Sequence, residues 1–158
     1  MRKASPGKMT NQPDDGTGLE FGDAIAIERV ADELSVVHAL LELDAKDILE
    51  LGCGRAEKSR ALAKAGADRR ILALEVDEIQ HAKNLQLEAP ENVRFGLGAA
   101  EAIPCPAESF DVVFLFKSLH HVPVEAMDRA FSEIERVLRP GGSVCIAEPL
   151  FRGEYNEI

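Results

Sequence analysis

Two glycines one residue apart, Gly52 and Gly54, divide the stretch ILELGCGRAEKS (residues 48–59) into an apolar run and a helix-forming one. A strand, a glycine turn and a helix in that order aim backbone N–H groups and a helix N-terminus at a ligand, which can approach the main chain where side chains are missing. The chemistry this suggests is the binding of a nucleotide-like ligand. A dinucleotide would call for a third glycine at position 57, but Glu57 stands there and would meet a pyrophosphate with a negative charge. An uncharged or cationic adenosine derivative is therefore expected. Glu75, 21 residues beyond Gly54, ends the run ILALE, where a carboxylate can accept hydrogen bonds from ribose hydroxyls. The competing reading is that acids after a strand only begin a helix, as Asp77 and Glu78 do. His121 and His120, in SLHHV, are candidate general bases, the alternative being that the pair packs and starts the next connection. Cys53, Cys105 and Cys145 lie far apart without C-x-x-C spacing, which suits a reducing compartment and implies neither a disulfide framework nor a metal site.

These residues need elements to hold them. Ile27, Val30, Ala31, Leu34, Val37 and Leu41 recur at steps of three and four, predicting an amphipathic helix over 23–43. Strands are then predicted at 47–51, 70–75, 92–97, 110–116 and 143–148, with helices near 56–65, 78–88 and 124–138. The last helix should stop at the sequence RPGG. Near-continuous apolar strands alternating with helices imply an α/β fold with a doubly wound, mostly parallel sheet. Residues 1–20, rich in Pro, Gly and Asp and poor in apolar side chains, read as a mobile tail, with one domain over 21–158. The hydrophobic fraction of 46% suffices for one core of ordinary size. A net charge of −10 with no basic stretch argues against a nucleic-acid partner. No run approaches the roughly 18 apolar residues of a membrane span, so a cytoplasmic protein is expected.

ILELGCGRA at 48–56, LALEVD at 72–77, EAIPCPAESFDVVFLFKSLHHV at 101–122 and RVLRPGGSVCIAEP at 136–149 together resemble the class I S-adenosylmethionine-dependent methyltransferases, especially the branch acting on small molecules. The resemblance implies a Rossmann-like sheet of five strands in the order 3-2-1-4-5, and methyl transfer to a small-molecule acceptor. It assigns Glu50 to shaping the turn around the methionine end of the cofactor, and Gly52, Cys53 and Gly54 to close backbone approach. Glu75 becomes the ribose acid and Val76 the apolar neighbour of the adenine. Ala100 and Glu101 edge the adenine ring with Ile103 nearby, while Phe116 and Lys117 floor the methionine portion. Lys117 is unusual beside a cationic sulfonium; it could meet an anionic group of the acceptor or point to solvent.

The pattern also departs from the family. Ala56 replaces the third motif glycine, a mild change because alanine is the next smallest side chain and a good helix former. Ala99 stands where an aspartate usually accepts from the adenine amino group. The further helix and two strands of the family fold are missing, so the chain reads as C-terminally incomplete, with an open sheet edge that a homodimer or another partner could fill. Two other functions compete: a non-catalytic binding module using that edge, which Ala99 and the missing strands favour, and an NAD-dependent oxidoreductase, which Glu57 disfavours.

Overall fold

The computed structural model describes residues 32–149; the expected tail, the first part of the 23–43 helix and residues 150–158 lie outside the described residues. The first described helix, α1, spans Glu33–Leu40 and begins at Asp32, whose carboxylate accepts from the Ser35 amide. It ends well before Leu43, because Leu41 turns extended. Then follow β1 (Asp47–Leu51), α2 (Glu57–Lys64), β2 (Arg70–Glu75), α3 (Glu78–Gln86), β3 (Val93–Leu97), β4 (Phe110–Phe116), α4 (Met127–Val137) and β5 (Leu138–Ala147). The five strands form one parallel sheet in the order β3-β2-β1-β4-β5, the order the family resemblance implied.

Period-two alternation sorts the strand side chains onto two cores. Leu49, Leu51, Leu74, Val113 and Leu115 pack with Ala130, Ile134 and Val137 of α4. Ile48, Ile71, Val112, Phe114 and Phe116 pack on the other face with Val37 of α1 and Leu62 of α2. Burial of each large apolar side chain contributes about 1.5–3 kcal/mol, so both faces need their helices.

The stretch from 124 to 147 also differs from expectation. The helix predicted over 124–138 begins with a 3-10 turn, Val124–Ala126, and ends at Val137. The last strand starts at Leu138 rather than 143: Leu138 pairs with Phe110, the chain bulges, and pairing resumes at Ser143 opposite Val112. The bulge places Arg139 where its guanidinium donates to both Asp47 and Asp111, each at 2.8 Å. These contacts hold the amino ends of β1 and β4 together and leave their carboxyl ends free to line a site. At the sheet margin, Val144 and Ile146 of β5 stay exposed. Among the described residues no helix is long and apolar enough to cross a membrane.

Candidate functional site

A cleft of about 890 Å³ opens at the carboxyl ends of β1, β2 and β4. Of the residues singled out from sequence, it brings together Gly52, Cys53, Gly54, Glu75, Val76, Ala100, Glu101, Phe116, Lys117 and His121. Glu50, His120 and Ile103 are not among its lining.

The glycine turn is held from three directions. The Cys53 amide donates to the Leu74 carbonyl at 2.9 Å, anchoring the turn to β2. Gly54 N donates to Glu75 Oε2 at 2.6 Å, and Asn84 Nδ2 of α3 donates to the Gly54 carbonyl at 2.7 Å. Glu75 Oε1 accepts from the amides of Val76 and Asp77 at 2.9 and 3.1 Å. An ionised carboxylate offers about four acceptor positions, and three are taken. A ribose would find one unshared acceptor position, on Oε2, where the sequence led to a carboxylate accepting from both ribose hydroxyls. Asn84, fully buried, escaped sequence reading, because an Asn inside a helix carries no signal of its tertiary partner.

The two glycines do different jobs. Gly52 has φ +68, and a Cβ on it would lie 2.6 Å from the Ser118 Cβ. Its missing side chain makes room for Ser118, whose hydroxyl donates to the Leu51 carbonyl at 2.7 Å, rather than for a ligand. Gly54, at φ +53, has nothing within 4 Å of its absent Cβ, so this is the position with open space for a ligand. Ala56 also sits in the left-handed region, at φ 53 and ψ 33. Substitution of the family glycine there is therefore not mild: a left-handed L-residue costs roughly 1–2 kcal/mol. Its buried methyl group packs with Cys53 and Ala73.

Beneath the turn, Glu50 is 2% exposed and accepts a hydrogen bond from the Ser59 hydroxyl of α2. Burial pushes its carboxyl up to about 7 against the pull of Ser59 and Lys58. Burial, reinforced by the charges of Glu50 and Glu75, pushes the Cys53 thiol up to about 12, so Cys53 packs and does not act as a nucleophile.

The opposite wall comes from the end of β4. Phe116 stacks on Phe114 with ring centroids 5.1 Å apart. Lys117 follows at φ +55, its amide donating to the Ala147 carbonyl at 2.7 Å. A 3-10 turn, Leu119–His121, then carries the two histidines, whose ring centroids are 4.0 Å apart. His121 lines the cleft, whereas His120 Nδ1 lies 2.5 Å from Glu148 Oε2. Glu148 also accepts from the Leu119 amide at 2.8 Å. Partial burial pushes the Glu148 carboxyl up, but hydrogen bonds from His120 and Leu119 outweigh it and hold the group below the ordinary range. The wall beyond β2 holds Val76, 63% exposed, with Asp77 and Gln80. Ala99 offers no side-chain acceptor there, and Glu101 stands on the same wall. Ile103 is buried in the core below.

Residues 49–146 match the methyltransferase domain family, a span that covers the sheet apart from the first two residues of β1 and the last of β5. The chain belongs to this family. It is a class I S-adenosylmethionine-dependent methyltransferase domain by sequence and by fold. The 27-O-demethylrifamycin SV methyltransferase of Amycolatopsis mediterranei is 32% identical over 130 residues, which cover 78% of this chain and 45% of that enzyme. The 2-methyl-6-phytyl-1,4-hydroquinone methyltransferase of Synechocystis is 28% identical over 137 residues, 81% of this chain and 42% of that one. The chain thus spans less than half the length of either relative. Among solved structures, the [4+2]-cyclase SpnF superposes with a TM-score of 0.64 at 28% identity, over 72% of this chain and 43% of that one.

Proposed function

We propose that this methyltransferase domain binds S-adenosylmethionine in the cleft and supports transfer of its methyl group to a small, largely apolar acceptor. The observation that carries the reading is the open face of Gly54 beside the remaining acceptor position of Glu75 in one cleft. The exposed side chain of Val76 supplies apolar surface for an adenine next to them. The residues present thus fit the group: backbone at Gly54, a carboxylate at Glu75, and Ala100 and Glu101 along the adenine edge.

The cofactor supplies an electrophilic methyl on a cationic sulfur, an excellent leaving group for in-line displacement. What remains for the protein is alignment and exclusion of water. Phe116 and Lys117 floor the methionine end, and the Ser118 hydroxyl bond to Leu51 fixes the distance between floor and turn. Where the acceptor is a hydroxyl or an acidic carbon, His121, on the cleft wall, takes its proton. His120, tied to Glu148, stands behind it. Relatives that act on a rifamycin and on a phytyl hydroquinone support an acceptor of apolar character bearing hydroxyl groups. Val122 and Pro123 at the cleft, followed by Val124 at 85% exposure, give an apolar lip that suits it. The free thiols of Cys53, Cys105 and Cys145 are consistent with a cytoplasmic site of action.

A second reading keeps the fold without the transfer: a binding module that pairs through the β5 edge, where Val144 and Ile146 are exposed, with a second copy or another protein. Calorimetric titration with S-adenosylhomocysteine, with NAD as control and mass measured by light scattering, separates the two. Micromolar binding of S-adenosylhomocysteine alone is the expected result. A folded, oligomeric sample that binds neither ligand would favour the module.

A further inference from the structure

One carboxylate of α1 reaches across to both sides of the cleft floor. Glu33 Oε1 lies 3.0 Å from Lys117 Nζ, and Glu33 Oε2 pairs with Lys58 Nζ of α2. The two lysines flank Phe116: Lys117 is its chain neighbour, and Lys58 Nζ lies 5.2 Å from the centre of its ring. Phe116 in turn lines both the main cleft and a smaller cavity behind the glycine turn that Lys58 also borders. Two ammonium groups therefore sit at the end of the site assigned to the methionine portion of the cofactor, where a sulfonium would add a third positive charge. Like charges oppose one another there; Glu50 stands near Lys58 beneath the turn, but Glu33 is the carboxylate in direct ion-pair contact with both ammonium groups.

We propose that Glu33 is a positioning residue that draws the Lys117 and Lys58 ammonium groups towards α1, away from the sulfonium, and so sets how strongly the site prefers the cationic cofactor over its neutral demethylated product. The inference rests on the cofactor reading above. It resolves what Lys117 does: it meets neither the acceptor nor solvent alone, but a carboxylate on a different element. The Lys58 hydrogen bond, with help from Lys117, holds the Glu33 carboxyl below the ordinary range against partial desolvation. The other carboxylates near the floor are committed elsewhere, Glu50 to Ser59 and Glu75 to the Gly54 turn.

The test is a pair of titrations of the 158-residue chain with S-adenosylmethionine and S-adenosylhomocysteine, at low and at high ionic strength. Glu33→Gln should weaken binding of the sulfonium ligand about threefold relative to the thioether, the size of a partly screened charge effect. The difference should shrink as salt is raised. Glu33→Asp should recover part of it, and Glu33→Gln combined with Lys117→Gln should restore the wild-type ratio. Equal weakening of both ligands by Glu33→Gln would mean that Glu33 only anchors α1, and an unchanged ratio would mean that the lysines do not reach the sulfonium; either overturns the proposal. If the folded wild-type chain binds neither ligand, the cofactor assignment itself fails and this inference falls with it.

Discussion

The two walls of the cleft are built on different physics. The β1–β2 wall is closed on itself: the Gly52–Gly54 turn, Glu75 and Asn84 satisfy one another through a short list of backbone hydrogen bonds, and Glu50, Cys53 and Ala56 are buried beneath. The β4–β5 wall is held by charge. Glu33 holds Lys117, Glu148 holds His120, and these side chains are partly or largely in water. A buried amide bonded to a carboxylate keeps its geometry against salt and pH far better than an exposed ion pair. The β1–β2 wall is thus preformed, while the β4–β5 wall takes its shape from groups that can be retuned without disturbing the core.

The largest test of this contrast is at Gly52. Gly52→Val would force Ser118 out and strain a positive φ, costing about 3 kcal/mol or more of stability. Thermal unfolding should show that loss, whereas Gly54→Ala, facing open space, should cost only about 1–2 kcal/mol and lose ligand affinity first. Glu75→Ala strands three amides; a loss of about 1–3 kcal/mol in stability and a tenfold or greater loss of cofactor affinity are expected, and unchanged affinity by calorimetry would remove the ribose assignment.

Glu50 gives a pH signature of the closed wall. Its folded value lies near 7, above an unfolded carboxylate, so its contribution is fully present below about pH 4.5 and is lost as pH rises to about 7. Glu50→Gln should therefore stabilise the chain at pH 8 by about 1 kcal/mol or more relative to its effect at pH 4, read from denaturant midpoints at the two pH values. Glu148 has the opposite sign. Its depressed value means stability present above the unfolded carboxylate value and lost as pH falls through the folded one. Because the His120 side of the pair is exposed, Glu148→Gln should shift stability by less than about 1 kcal/mol, read from denaturant midpoints at neutral and at acid pH.

The fold was legible where burial is symmetrical. The strands at 47–51, 70–75 and 110–116 match their predicted limits because continuous apolar runs have no other stable place than the middle of a parallel sheet. Leu138 and its bulge were hidden because Pro140, Gly141 and Gly142 read as a stop, and only pairing with Phe110 reveals a strand through them. In the site, Gly54 and Glu75 could be found from local spacing. The role of Gly52 could not, since it depends on Ser118, 66 positions away, and neither could Asn84 or Glu33, whose partners lie on other elements. Local rules also misjudged Ala56: size and helix propensity say nothing of a left-handed φ.

The elevated thiol of Cys53 gives the domain an internal clock. Alkylating reagents attack the thiolate, which at about pH 8 is scarce when the value is about 12 but abundant in an unfolded chain near 8.5. Cys53 is also mostly buried at the turn, so its labelling should speed up when the β1–β2 wall opens. The rate at which one sulfur is modified would then follow the opening of that wall, and its slowing by a bound ligand would report that ligand's grip without any knowledge of what is methylated.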